Sequence, residues 1–324
     1  MEPTIVLGTM TFGWTQSSHP VDDDAAAAQL DYFTSQGFNE IDTARMYAAG
    51  ETENMLGRVL PGRDGVTVTA TKANPFPPNS LKPDSLREQL ETSLAAMNKD
   101  CVEIFYLHAP DPDTAIEETL AETQKLYEEG KFKQLGLSNY PSWEVVNIYH
   151  ICLSKGYVLP TIYQGMYNAL TREVEEELFP ALKTLGIRFL AYNPLAAGVL
   201  TGKHNSIKQA PSGRFADNKM YLDRFWKETY LQLDSCVQAC ADADITMTDA
   251  AFRWLKYHSQ LDPAKGDGII IGASSMGHLT ENVEYCLKRD PLPDAVVDAL
   301  DAAWDNCRPD CPPYQRGYSN SAKL

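Results

Sequence analysis

Short runs rich in β-branched and aromatic residues alternate along this chain with longer stretches whose apolar positions recur every three or four residues. The runs Thr4–Gly8, Asn39–Asp42, Val66–Lys72, Val102–His108, Lys133–Ser138, Thr161–Gln164, Ile187–Asn193 and Gly268–Gly272 read as strands. Between them, Leu86, Leu90, Leu94 and Met97 make one helical stripe, and Ile116, Leu120, Thr123 and Tyr127 another. Pro83 suits a first helical turn, where its missing N–H has no partner to lose. Thr114 with Glu117 spells a capping box. Eight strands alternating with helices imply parallel pairing through right-handed crossovers. Eight is also the number that closes an α/β barrel of the (β/α)8 TIM type.

The alternation breaks twice. Gly202–Lys219 is polar and reads as a long loop after the seventh strand, and a Pro-rich tail, Asn306–Leu324, follows a last helix near Pro293–Trp304. The whole chain, 324 residues, is expected to form one barrel domain with that tail as its C-terminal loop.

Charge narrows the partners. With 28 basic against 44 acidic residues the net charge is −16, which argues against a nucleic-acid or anionic-membrane partner but leaves room for one small anionic ligand held by local Lys and Arg. The seven cysteines are an odd number without a C-x-x-C, and no histidine pair has metal-ligand spacing. No signal-type leader and no run of about 18 apolar residues occur, so the cytoplasm is the expected compartment. Gly266–Gly272 mimics a dinucleotide fingerprint but precedes its strand, and Gly198–His204 falls one residue short of a P-loop.

Candidate chemistry collects at the strand ends: Asp42, Lys72, His108, Ser138, Gln164, Asn193 and Ser274. Each alone has an ordinary role, Asp42 as a turn cap or Asn139 as a cap for a helix from Pro141. Together they converge on the face where barrels carry their sites. A phenol titrates near pH 10 and is a weak acid at neutrality, but a neighbouring ammonium favours its ionised form. Tyr47, with Lys72 beside it, Asp42 holding the lysine and His108 facing the substrate, therefore makes a general acid for an alkoxide forming on a carbonyl.

These residues, read as Glu40-Ile-Asp42-Thr-Ala-Arg-Met-Tyr47, Ala-Thr-Lys72 and Tyr106-Leu-His108, resemble the catalytic tetrad of the aldo-keto reductase superfamily. Leu137-Ser-Asn-Tyr140, Tyr163-Gln-Gly-Met-Tyr-Asn168, Ala191-Tyr-Asn-Pro-Leu-Ala196 and Asp223-Arg-Phe-Trp-Lys227 are similar to its aflatoxin aldehyde and succinic semialdehyde reductase branch. The resemblance covers about Val6 to Arg316. It implies an NADPH-dependent reductase of aldehydes or ketones, with Tyr47 giving the proton. Alternatives are a nicotinamide-binding sensor subunit on the same fold and a biosynthetic reductase of a bulky metabolite. It further implies a possible homodimer.

By the same resemblance Ser138, Asn139 and Gln164 hold the nicotinamide amide and Tyr192 stacks on its ring. The turn Asn193, Pro194, Leu195, Ala196, Ala197, Gly198, Val199, Leu200, Thr201, Gly202 and Lys203 wraps the pyrophosphate, with the amides of Ala196, Ala197 and Gly198 toward phosphate. Arg214 reaches the cofactor. Ser274, Ser275, His278, Glu281 and Asn282 grip the adenosine 2′-phosphate and adenine at a helix start. Tyr221, Arg224 and Arg316 join His108 on the substrate side, where a guanidinium suits a carboxylate. Met10, Phe12, Trp14 and Trp226 are candidate apolar walls. Two departures stand out. His278 replaces the family's usual Arg or Gln against the 2′-phosphate, and eight residues, Gly317 to Leu324, follow the terminal Cys-Pro-x-Tyr-x-Arg pattern.

Overall fold

The computed structural model describes residues 2–14, 20–203 and 219–320, and for 219–221 the backbone alone. Its strands are β1 (Thr4–Gly8), β2 (Glu40–Asp42), β3 (Val68–Ala73), β4 (Val102–Leu107), β5 (Phe132–Ser138), β6 (Pro160–Met166), β7 (Arg188–Tyr192) and β8 (Gly268–Gly272). Each pairs in parallel with the next and β8 pairs with β1, so the eight close into a (β/α)8 barrel.

After β1 to β6 come, in turn, α1 (Asp23–Ser35), α2 (Glu51–Val59), α3 (Pro83–Ala96), α4 (Ile116–Glu128), α5 (Ser142–Lys155) and α6 (Leu178–Leu185). Between β7 and β8 lie α7 (Lys219–Phe225), α8 (Glu228–Leu231), α9 (Asp234–Asp242) and α10 (Met247–Tyr257). The last two helices, α11 (Met276–Leu287) and α12 (Asp294–Cys307), close the chain's outer ring. No helix among the described residues is long and apolar enough to cross a membrane.

β1 and β8 read as near-continuous apolar runs because both of their faces are covered. Val6, Ile104 and Ile270 point inward with Tyr106, Ile162 and Leu190 to fill the barrel. Their neighbours Leu7, Phe105 and Ile271 point outward beneath the helices. Filling has a local condition at Gly136, where a Cβ would lie 2.3 Å from Cδ1 of Tyr106. Only a residue without a side chain lets that ring lie across the barrel.

Leu86, Leu90, Leu94 and Met97 are buried, and Pro83 opens α3. The second stripe is buried through Ile116, Leu120 and Thr123, whereas Tyr127 stays 39% exposed and leans on Phe132. The capping box does not form. α4 starts after Ala115 with no side-chain cap, and Thr114 donates instead to the Asp111 carboxylate at 2.7 Å. Thr114 stands one residue too early, and Asp111 is a charged acceptor already organising that turn through the amides of Leu81 and Asp113. Val66 belongs to the turn before β3, since its N–H bonds Arg63. All seven cysteines are free.

Candidate active site

Asp42 ends β2 and Lys72 lies on β3, both buried at the barrel mouth. Lys72 Nζ donates to Asp42 Oδ1 at 2.6 Å and to the Thr43 carbonyl at 2.7 Å, and reaches the Tyr47 hydroxyl at 3.4 Å. Gln164 of β6 donates through Nε2 to the other carboxylate oxygen of Asp42 at 2.8 Å. Burial pushes the Lys72 ammonium below the ordinary lysine range, and the charges of Asp42 and then Glu53 oppose that push.

Tyr47 opens a short turn, Tyr47–Gly50, that leads into α2. Ala48, Ala49 and Gly50 all have left-handed backbone, with φ of 47°, 53° and 96°. Such a conformation costs an alanine roughly 1–2 kcal/mol. An ion pair brackets the turn: Arg45 Nη1 meets Glu53 Oε2 at 2.7 Å, with the Glu53 side chain fully buried. Glu53 also accepts from the hydroxyl of Thr71, the residue before Lys72. The Arg45 guanidinium lies where a Cβ on Gly50 would be, 1.5 Å from Nη2.

His108 follows β4 and meets the Tyr47 ring edge-on, with centroids 6.0 Å apart. Its Nδ1 is buried with no protein partner. Burial, then the charges of Lys72 and Arg316, hold the imidazole well below the usual histidine range, so it is neutral at pH 7. Asn139 fixes this strand end rather than capping α5, whose first-turn cap position is Pro141. Its Nδ2 donates to the His108 carbonyl at 2.8 Å and its Oδ1 accepts from the Tyr192 hydroxyl at 2.8 Å. Ser138 accepts from the same Nδ2 at 2.9 Å.

The turn after β7 is closed by its own hydrogen bonds. The amides of Ala196, Ala197 and Gly198 are engaged inside the turn, on Asn193 O, Asn193 Oδ1 and Leu195 O. Three successive left-handed residues fold the backbone onto itself and onto the Asn193 side chain. Pro194, Ala196, Val199 and Leu200 are buried, while Lys203 is exposed. What the turn leaves for a ligand is Asn193 Nδ2, a buried donor without a partner, and open space beside Gly198. After β8, Ser275 caps α11 by accepting the His278 N–H, and Ser274 Oγ lies 3.2 Å from His278 Nδ1. Asn282 is tied to the Gly272 carbonyl and Glu281 accepts from Tyr285. An orphaned donor at one end and a hydroxyl-lined helix start at the other fit a dinucleotide lying across the mouth.

On the remaining side, Arg316 packs over Phe76 at 5.7 Å, and Phe76 lies 6.4 Å from the His108 ring. Arg224 is half-buried on α7, which packs against the turn Ala196–Thr201. Arg214 and the Tyr221 side chain lie outside the described residues. Phe12 is wholly buried core. Three contributors escaped the sequence reading: the Thr43 carbonyl, Phe76 and the Arg45–Glu53 pair. A glutamate on the same face of α2 as the buried Leu56 and Gly57 was the available signal for the last.

A model of the aldo/keto reductase family matches residues 4–305. The chain is 46% identical to aflatoxin B1 aldehyde reductase member 2 of Rattus norvegicus over 98% of its own length and 88% of that protein's. It is 46% identical to human aldo-keto reductase family 7 member A3, covering 97% of each chain. The oxidoreductase sirO of Leptosphaeria maculans is 35% identical over 96% of this chain and 97% of its own. Matched in this way along almost its entire length, the chain belongs to the aldo/keto reductase family of oxidoreductases.

Proposed function

We propose that the protein is an NADPH-dependent reductase of aldehydes and ketones, in which Tyr47 is the general acid. The observation that carries this reading is the line Asp42–Lys72–Tyr47, with Lys72 Nζ held at 2.6 Å by the carboxylate and 3.4 Å from the phenol oxygen. When bound, the dinucleotide supplies a hydride for the carbonyl carbon. As negative charge grows on the substrate oxygen, the Tyr47 O–H donates its proton there. Lys72 stabilises the phenolate left behind, and Asp42 and Thr43 keep the ammonium aimed. A neutral His108 orients the substrate oxygen through a hydrogen bond without adding charge.

The residues suited to the cofactor are Asn193 and Lys203 at the pyrophosphate, and Ser274, Ser275 and His278 at the ribose 2′-phosphate. Ser138, Asn139 and Gln164 lie on the nicotinamide side, with Tyr192 beside them. Arg316, with Arg224, favours aldehydes that carry a carboxylate.

The test is NADPH oxidation with succinic semialdehyde and with 4-nitrobenzaldehyde, wild type beside Tyr47→Phe. Turnover that falls by about 10²–10⁴-fold in the variant supports the reading. Turnover surviving in Tyr47→Phe assigns the acid elsewhere, and tight NADPH binding without turnover of either aldehyde points to a sensor.

A further inference from the structure

The residues beyond α12 are stitched to the mouth at four points. The Tyr314 hydroxyl accepts from the Ser142 amide at 2.9 Å and donates to Glu177. The Arg316 amide donates to the Asn139 carbonyl at 2.9 Å. After a left-handed turn at Gly317, with φ of 83°, the Ser319 amide donates to both carboxylate oxygens of Glu144, at 3.1 and 3.3 Å. Asn320 then bridges to Ala115 and bonds the Asp111 carbonyl.

Glu144 is the unusual member. It is buried, 1% exposed, at the third position of α5. A glutamate there ordinarily reaches back to the N–H of the residue that caps its helix. Here that residue is Pro141, which has no N–H. The carboxylate is therefore available to a donor from elsewhere, and Ser319 supplies it. Ser319 is 4% exposed between an exposed Gly317 and an exposed Asn320, so it is the point at which the tail enters the surface. Trp143, the neighbour of Glu144, lies against Tyr318 at 6.4 Å. Arg316 sits between the Tyr314 and Ser319 anchors, with its guanidinium over Phe76 on the side of His108.

We propose that Glu144 is a positioning residue for Arg316, and that the stretch Gly317–Asn320 is a strap that sets preference for aldehydes bearing a carboxylate. By holding Ser319, Glu144 keeps the chain on both sides of Arg316 fixed, and a guanidinium held at both flanks binds an anion without first losing its own freedom. The proposal rests on the assignment of Arg316 to the substrate side made above.

The experiment compares wild type, a chain ending at Arg316, Glu144→Ala, Glu144→Gln and Arg316→Met, with succinic semialdehyde and 4-nitrobenzaldehyde as substrates. The shortened chain and Glu144→Ala are expected to raise KM for the semialdehyde roughly tenfold, with kcat and both constants for the nitrobenzaldehyde within about twofold. Glu144→Gln, which keeps an acceptor oxygen, restores most of the affinity. Equal losses on both aldehydes make Glu144 merely structural and overturn the proposal. If Arg316→Met raises KM while the shortened chain behaves as wild type, the strap fails and the substrate assignment stands. If Arg316→Met leaves the semialdehyde unaffected, the assignment of Arg316 fails and takes the strap with it.

Discussion

Gln164 and Asp42, 122 residues apart in sequence, share a 2.8 Å hydrogen bond across the barrel mouth. With Lys72 on one carboxylate oxygen and Gln164 on the other, Asp42 is held from two strands at once. In Gln164→Ala one oxygen of a buried carboxylate loses its donor. Unfolding free energy is expected to fall by about 1–3 kcal/mol in denaturant titration, with kcat reduced as well. An unchanged midpoint would mean that solvent replaces the amide without loss.

The Lys72–Asp42 pair separates stability from catalysis. Lys72→Met leaves the buried Asp42 charge without its partner and should cost about 3–5 kcal/mol. Adding Asp42→Asn should recover much of that stability while reductase activity stays lost. Recovery of activity in the double variant would remove the ammonium from the mechanism.

His108 gives a pH signature. Its imidazole is held well below its ordinary value of 6.5 in the folded protein, so below about pH 6.5 the unfolded chain binds the extra proton. This group therefore adds stability at neutral pH that is lost as pH falls, with a slope of at most about 1.4 kcal/mol per pH unit. His108→Asn should lose stability less steeply than wild type between pH 7 and 5 in parallel thermal melts. Superimposable pH profiles would contradict the burial argument.

At the proposed cofactor end, His278→Arg replaces an imidazole with a fork of fixed cationic donors at the start of α11. The NADPH over NADH affinity ratio, read from dissociation constants, is expected to rise about tenfold. A ratio that does not move places the 2′-phosphate away from this helix.

Gly136→Ala tests the barrel filling. A methyl 2.3 Å from the Tyr106 ring forces strand or ring to shift, and a loss of about 1–3 kcal/mol or more is expected. If a second change, Tyr106→Leu, does not relieve the loss, the clash is not with that ring.

The strand pattern was legible because strands covered on both faces read as short β-rich runs, and polar residues stand at or just beyond several of their C-terminal ends, as Asp42, His108, Ser138 and Asn193 do. Only the boundaries moved, as at Val66 and at Asn193, where a left-handed φ of 60° stops β7. That Asp42, Lys72 and His108 come together was legible because parallel strands bring their C-terminal ends to one face, and Tyr47 joins them from the turn that follows β2. Contacts made by backbone, such as Thr43 O on Lys72 or Ser319 N on Glu144, left no trace in residue type. The internal bonds of the Ala196 to Gly198 amides were not legible, because sequence shows a flexible turn but not which acceptor its N–H groups find. Thr114 misled because the Thr–Glu pair has capping-box spacing but stands one residue before the cap position, Ala115, and the Asp111 carboxylate takes its hydroxyl.

The Arg45–Glu53 bracket has a consequence for anyone redesigning this enzyme. Arg45 or Glu53 changed alone leaves its partner's charge unmatched, and any side chain at position 50 meets the guanidinium. Loop grafting between related barrels would thus succeed only when the stretch from Arg45 to Glu53 travels intact. Tyr47, the proposed proton donor, is transplantable as part of a nine-residue cassette, together with the Thr71 hydroxyl that receives it, and not as a single tyrosine.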